Sequence, residues 1–520
     1  MSRPRLRSLA RPQQALLAVL ALWALVPAVA MIVHALRFGE RLTGADGIVG
    51  GDQLQYLAWI RDAGSHVLAN NLFSLPPSAH AYVQPMFTLS GLLWWIGLPL
   101  QAAYWLWKPV AIAVLFTGAA WWTSRMLHER GARAAALTLA LFLFSPIASL
   151  VGWALIGSPS ARDHLLQLSA EIFPAGELWG YMPAALAVGL MPVAVLTAER
   201  ALQASDRKVR RRLLGAAGSC ALLIAWLHPW QGLTLILILL ALAAWAGSAD
   251  WRPLMIPALA AVMPLTYYLL LSKLDPAWEL ASRNELVPRP PLTALVLALV
   301  PMLPFALAGL RRPGRDLSER ALLLWIPACL ITYFAVGSFS THALESLSLP
   351  IAVLCVRGAQ RIRLPLVAGA LMLAAVTVPG LAYEARAFRD VERSPIQQYY
   401  ENASDSRALD WVANGAPAGG VLARTIVAVG IPSQTGRAVW VGHQFWSRDY
   451  PARSAIANAM FAGTLDRTRA SLLVRLSGVR LVFADCGSRI DLRRSLAPVL
   501  ASVRRFGCAS VGVIRGTAQR

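Results

Sequence analysis

Charge is scarce in this sequence. Of 520 residues, 14% are Asp, Glu, Lys or Arg, while 57% are hydrophobic. A soluble chain of that length needs far more charged surface, so a large water-soluble globule is excluded. Acidic residues are scarcer still, 27 against 48 basic ones, for a formal net charge of +21. In a soluble protein that excess points to nucleic acid. Here the positive charge falls in short loops between apolar runs, as the positive-inside rule expects, and no nucleic-acid partner is implied. Cysteine is rare, with five residues and no CxxC. Cys220, Cys329 and Cys355 fall in apolar runs and read as inert core residues. The polar C-terminal region contains neither GxGxxG nor a P-loop. No internal repeat or low-complexity tract stands out.

What is plentiful is uninterrupted apolar sequence. Several runs reach about 20 residues, the length that crosses a bilayer core. They are continuous rather than alternating, which favours helices over a closed barrel. Arg3, Arg5, Arg7 and Arg11 precede the first run, Ala15 to Leu36. Ala28-Val29-Ala30 resembles a signal cleavage site, but the run continues past it, so an uncleaved helix with its N-terminus inside is expected. Met86 to Leu98, between Pro85 and Pro99, is short for a span and suits a re-entrant or interfacial segment. If it does not cross, the basic loops at Arg125/Arg130/Arg133 and Arg200 to Arg212 fall inside. So do the clusters Arg311/Arg312/Arg315/Arg320 and Arg357/Arg361/Arg363.

The expected fold is therefore a polytopic α-helical membrane protein with about eleven transmembrane helices. Residues 1–384 form the helical domain, with an outer loop at 37–102 carrying a surface helix and the re-entrant one. The chain after 385 is polar, and strand-like runs alternate with helical ones. Strands are expected at Val421 to Ala423, Ala438 to Val441, Val479 to Ala484 and Ser510 to Ile514, and helices at Ser404 to Ala413, Ala452 to Phe461, Asp466 to Leu476 and Leu492 to Phe506. That alternation predicts a small extracytoplasmic α/β domain over 385–520. The plasma membrane, crossed many times, is the expected location.

The stretch Gly50 to Asp62 lies where the chain leaves its first span. An unpaired charge near a bilayer is costly and often functional. Asp52 could take a proton from an attacking hydroxyl. The competing reading is a solvated N-cap of the helix that follows. Asp46 and Asp62 are weaker rivals, since Asp62 could pair with Arg61 or a neighbour.

A first helix, an outer loop with an early Asp, an embedded helix, a multi-span bundle and an outer C-terminal domain resemble the GT-C glycosyltransferases, integral membrane enzymes that use polyprenyl-phosphate sugars. The resemblance covers roughly residues 15–384. It implies that Asp52 is the base or acceptor-binding group. Many members carry Asp-Asp or Asp-Glu there, where this chain has Asp52-Gln53. Val83-Gln84-Pro85 stands where some carry His-Pro-Pro. No cofactor is certain; a divalent metal is compatible with the class.

In such an enzyme the departing phosphate needs cationic or donor groups. The outer loops offer Arg162-Asp163-His164 with Glu171 and Glu177, then Lys273 to Asn284 with Trp278 and Arg283, then His342 and Glu345. Arg283 and His342 are favoured because both loops are short and held against helix ends. Each could equally be ordinary solvated loop charge. His228-Pro229-Trp230-Gln231 could bind sugar by stacking, or anchor the interface. Trp440, His443, Trp446, Arg448, Asp449 and Tyr450 could contact an acceptor glycan or form a packed loop. Cys486 and Cys508 flank strand ends and could form a disulfide outside the cytoplasm. The leading expectation is an inverting glycosyltransferase with a polyprenyl-phosphate sugar donor and a glycan, lipid or protein acceptor. A transporter or flippase of lipid-linked glycan would need ionisable residues in mid-span or paired broken halves, and few such charges occur. A membrane-anchored binding protein, with residues 385–520 as the working part, is the third reading.

Overall fold

The computed structural model describes residues 11–246, 249–312, 316–394 and 398–515. Arg3, Arg5, Arg7 and Arg315 lie outside the described residues. Seven described helices are long and apolar enough to cross a membrane: Arg11–Phe38, Leu100–Met126, Arg130–Gly152, Met182–Gln203, Arg252–Leu274, Leu317–Ala335 and Leu366–Glu392. The protein is a multi-pass membrane protein. The count of about eleven also took in 213–229, 231–249, 292–310 and the short stretch ending at Arg357. The first two are built as helices Arg207–Leu227 and Pro229–Ala246, and the last as Ser348–Arg361. The third breaks into Leu292–Leu299 and Leu303–Ala308. Pro301 and Pro304 remove two amide donors there, which a single helix could not replace.

The chain divides into two compact units. The first holds residues 1–26, 107–267 and 287–387. Its helices approach through small residues: a Cβ on Gly118 would meet the Gly189 carbonyl oxygen at 1.9 Å. Such contacts let backbones meet where no water-driven term holds helices together in lipid. Trp122 and Trp325, both fully buried, meet edge-on at 5.1 Å. At one end Arg125 grips Glu199 through two bonds of 3.0 Å, and Glu199 also accepts from the backbone and hydroxyl of Ser318. Arg357 closes the same kind of clamp on Glu319 and the Met126 carbonyl. Buried charge is tolerated here because each group is paired and hydrogen-bonded.

The second unit holds residues 27–106, 268–286 and 388–520. Its sheet has Val421–Ala423 parallel to Leu481–Ala484, then Ala509–Ile514 and Leu500–Phe506 antiparallel. Leu422, Met460, Phe461, Val474, Val482 and Ile514 lie in its core. Two expectations fail. Residues 438–441 make a single bridge, Val439 to Val421, rather than a strand. The expected helix Leu492 to Phe506 ends at Ser495, and Leu500–Phe506 turns back at Gly507-Cys508 as a hairpin. Gly507 has φ +74°, the conformation a two-residue hairpin turn requires. Cross-strand pairing overrides the helical spacing of the local sequence. Cys486 and Cys508 are disulfide-bonded with Cα atoms 4.9 Å apart.

The Asp52 helix runs Gly50–His66 and, unlike the expected surface helix, does not lie open on a surface. Leu54, Leu57, Ala58, Trp59 and Ile60 are all buried. It crosses the short helix Pro85–Trp95 so closely that a Cβ on Gly91 would meet the Gly64 amide nitrogen at 2.6 Å.

Candidate active site

The helix that carries Asp52 has Val49 at its N-cap, with no side-chain cap bond. Asp52 therefore sits inside the first turn, where the helix dipole favours a negative charge, and is not the cap. Asp52, Tyr56 and Trp59 are spaced i, i+4, i+7 and share one helix face.

On that face the Asp52 side chain keeps 26% exposure, and its Oδ1 lies 3.0 Å from Nε2 of His443, which is 4% exposed. The amide of Phe445 donates to Nδ1 of His443 at 3.3 Å. In the neutral ring that leaves the proton on Nε2, so the imidazole donates to the carboxylate. The loop bearing His443 is fixed by its backbone. Val439 N donates to Leu72 O at 2.8 Å, and Asn71 Nδ2 donates to Trp446 O at 2.8 Å. Ser447 Oγ donates to Phe73 O at 2.7 Å and accepts from Gly442 N at 2.9 Å. His443 is thus held by its surroundings rather than by Asp52 alone.

Aromatic rings gather beside this pair. Trp59 meets Tyr82 at 4.7 Å, Trp446 edge-on at 5.1 Å and Trp278 at 6.2 Å. Trp278 also meets Tyr82 at 4.6 Å and Trp446 at 4.8 Å. Trp59, Tyr82 and Trp446 are buried, so these rings pack the Asp52 helix against its neighbours, and Trp278 alone among them is partly exposed. Gln53 takes no acidic role: its amide donates to the Asp46 and Val49 carbonyls and accepts from the Asp46 amide, which fixes the turn ahead of the helix. Asp46 and Asp52 both act electrostatically on the buried Tyr104.

A second polar cluster lies in the first unit. Glu345, 1% exposed, receives Nε2 of His228 at 3.1 Å and Nδ1 of His342 at 3.0 Å. His342 Nδ1 also lies 2.8 Å from Glu171, which accepts from Thr341 Oγ1 at 3.0 Å. Burial works against the charge on each group, but the two histidines more than offset it for Glu345 and hold its carboxyl down at about 2. Burial also pulls His342 down, and Glu171 and Glu345 more than reverse that, so its imidazole stays protonated well above its ordinary range. Glu177 goes the other way: burial, then the charges of Glu345 and Glu171, push it well up. His228 Nδ1, Gln231 Oε1 and Glu345 Oε2 are buried without a hydrogen-bond partner. The ligating atoms of His228, His342 and Glu345, and of Glu171, Glu177 and Glu345, fall within 4.8 Å of one another. Those two groups could hold a cation. Asp52 belongs to no such group of three among the described residues.

The other candidates are placed as follows. Arg283 is 72% exposed and pairs with Glu279 one turn earlier on helix Pro276–Asn284. Arg162 is exposed on helix Pro159–Glu171. Trp278 joins the aromatic wall beside Asp52, whereas His228 and His342 meet the carboxylates of Glu345 and Glu171. Asp62 pairs with His66 and His80 rather than with Arg61, whose guanidinium donates to the carbonyls of Ser433 and Gln434. Sequence reasoning missed the role of His443, which lies 391 positions from Asp52. The only sequence signal was the crowding of Trp440, His443, Trp446 and Tyr450 after an apolar run.

No model of a known protein family matches this sequence, and no curated protein matches it either. Solved structures do. The chain is similar to the oligosaccharyltransferase of Archaeoglobus fulgidus in its apo form, with 13% identity and TM-score 0.54, over 93% of this chain and 71% of that one. The oligosaccharyltransferase AglB from the same organism, in complex with an inhibitory peptide and a dolichol-phosphate, matches with 14% identity and TM-score 0.52, over 93% and 70%. ArnT from Cupriavidus metallidurans, in the apo state, matches with 11% identity and TM-score 0.49, over 93% and 97%. The chain shares the fold of the two oligosaccharyltransferase structures, in line with the membrane architecture expected from sequence.

Proposed function

We propose that this protein is an inverting glycosyltransferase that moves a sugar from a polyprenyl-phosphate donor to an acceptor hydroxyl. Asp52 takes the proton of the acceptor as its oxygen attacks the anomeric carbon. The bond from that carbon to the phosphate oxygen breaks, and the polyprenyl phosphate leaves with the electron pair. Two observations of fold and chemistry support the reading. AglB, which shares the fold, binds a dolichol-phosphate. A general base must be both reachable and oriented, and Asp52 is partly exposed while a buried histidine fixes one of its oxygens. The Asp52–His443 pair is the observation that carries the assignment.

The donor set of His228, His342 and Glu345 fits a divalent cation that displaces the proton His342 otherwise keeps, with two imidazoles, a carboxylate and buried atoms that lack a hydrogen-bond partner among the described residues. Such an ion would supply fixed positive charge within the first unit. The acceptor is a glycan, lipid or protein on the outer side of the plasma membrane. Two features support that sidedness: the basic loops predict an inside N-terminus and outside C-terminal region, and the Cys486–Cys508 disulfide suits an oxidising compartment.

The test is Asp52→Asn in membranes supplied with a polyprenyl-phosphate sugar. Asn keeps the shape and can still accept from His443, but it is not a base. Transfer is expected to fall about a hundred- to ten-thousand-fold with unchanged thermal stability. Undiminished transfer removes Asp52 from the chemistry.

A further inference from the structure

The C-terminal end of the Asp52 helix carries a side-chain cluster that the glycosyl-transfer reading does not use. Asp62 is 7% exposed, and no Lys or Arg pairs with it among the described residues. Its Oδ1 lies 3.0 Å from Nδ1 of His66, one turn along the same helix, and 3.3 Å from Nε2 of His80. Its Oδ2 accepts the amide of Asn70 at 2.7 Å. Nδ1 of His66 also lies 3.3 Å from the Asp62 carbonyl. The two imidazoles overlap with centroids 4.0 Å apart and are 51% and 35% exposed.

We propose that Asp62, His66 and His80 form a binding site for one divalent transition-metal ion of the zinc type. Three observations lead there. A buried carboxylate faced by two imidazoles and by no Lys or Arg among the described residues is a donor set that a metal ion satisfies. The ligating atoms all fall within 4.8 Å of one another, and the two ligand separations from Oδ1 match the edge of about 3.3 Å for a tetrahedron with zinc-type bond lengths. The Asn70 amide occupies Oδ2 and turns Oδ1 toward the imidazoles, the kind of outer contact that orients a metal-binding carboxylate. Two nitrogens and one oxygen suit zinc, copper or nickel better than calcium or magnesium. Solvent reaches both imidazoles, so the ion has an entry path and a water can complete the shell. His80 lies between Ala69 and Tyr82, which pair across the loop. A bound ion would therefore tie the loop 67–84 to the end of the helix that begins beside Asp52.

The test uses the full chain in detergent, free of any affinity tag and stripped with chelator. Zn2+ is titrated against a chromogenic competitor, and Co2+ is followed by its visible d–d absorption. The variant is His66→Ala/His80→Ala, whose side chains are exposed enough that folding is not at stake. Wild type is expected to bind one more equivalent of Zn2+ than the variant and to show a tetrahedral Co2+ band that the variant lacks. Zn2+ should also slow hydrogen exchange in residues 67–84 of wild type by at least tenfold and leave the variant unchanged. Equal stoichiometry in the two proteins overturns the proposal, as does a wild type that binds no Zn2+. Metal retained by an Asp52→Asn variant keeps this inference standing even if the glycosyl-transfer reading fails.

Discussion

Asp52 and Glu345 are both carboxylates that a histidine approaches within 3.1 Å, and their settings differ in every other respect. Asp52 keeps 26% exposure and meets one imidazole, whose tautomer is set by a backbone amide. Glu345 is 1% exposed, meets two imidazoles, and is held at about 2. A carboxyl held so low is a poor proton acceptor and a good fixed charge. A carboxylate with water access and one oriented oxygen can trade a proton with an acceptor. Proximity to histidine therefore does not mark a base; access to solvent and acceptor does.

The comparison can be broken at either carboxylate. The largest effect is expected at Asp52→Asn, as above, on transfer rate alone. Glu345→Ala should act on stability instead, because it leaves His228 without its partner and weakens the hold on His342. Breaking a buried ion pair costs about 3–5 kcal/mol, read as a lowered unfolding midpoint in detergent. A Glu345→Ala protein as stable as wild type would contradict the fixed-charge role.

His443→Ala removes one hydrogen bond to a charged group, and transfer should fall roughly 10- to 100-fold with little change in donor KM. A fall in KM terms alone would make His443 a substrate contact rather than a positioning residue. The pH dependence sharpens the other side. The folded value of His342 is raised, so its stabilisation is complete below about pH 6.5, its unfolded value, and is lost as pH rises through the folded value. Glu177 is also raised and adds to the same alkaline loss. Glu345 is depressed, so its contribution is lost only as pH falls toward about 2. The thermal midpoint of wild type should therefore decline from about pH 6 to pH 9, and His342→Ala should flatten that slope. A slope of the same size in the variant would place the titration elsewhere. The smallest effect is expected at Arg283→Ala: a guanidinium 72% exposed and already paired with Glu279 should change KM by less than about threefold, whereas a phosphate ligand would cost tenfold or more.

The membrane class was legible because it rests on a local signal, the length of apolar runs. The helix after Asp52 was expected on a surface, and its burial was not legible, since it packs against the helices Pro85–Trp95 and Ile431–Thr435. His443 was visible only as one polar residue in an aromatic loop. Nothing local says that the Asn71 side-chain amide and the Leu72 and Phe73 carbonyls fix that loop. His342 and Glu345 were legible as loop groups with phosphate in mind. Their mutual pairing and that with His228 and Glu171 is a tertiary fact, and it makes the cluster better suited to a cation. The strand Leu500–Phe506 was misread as helix because the deciding contact is its hairpin partner, although Gly507 was available as a turn signal.

The proposed role of His443, acting through Asp52, is put to a double-mutant cycle on sugar transfer with Asp52→Asn, His443→Ala and the double variant. If His443 only orients the base, the double variant should transfer no more slowly than Asp52→Asn alone, a coupling that matches the whole loss seen in His443→Ala. Losses that multiply would show two independent contributions and contradict the claim.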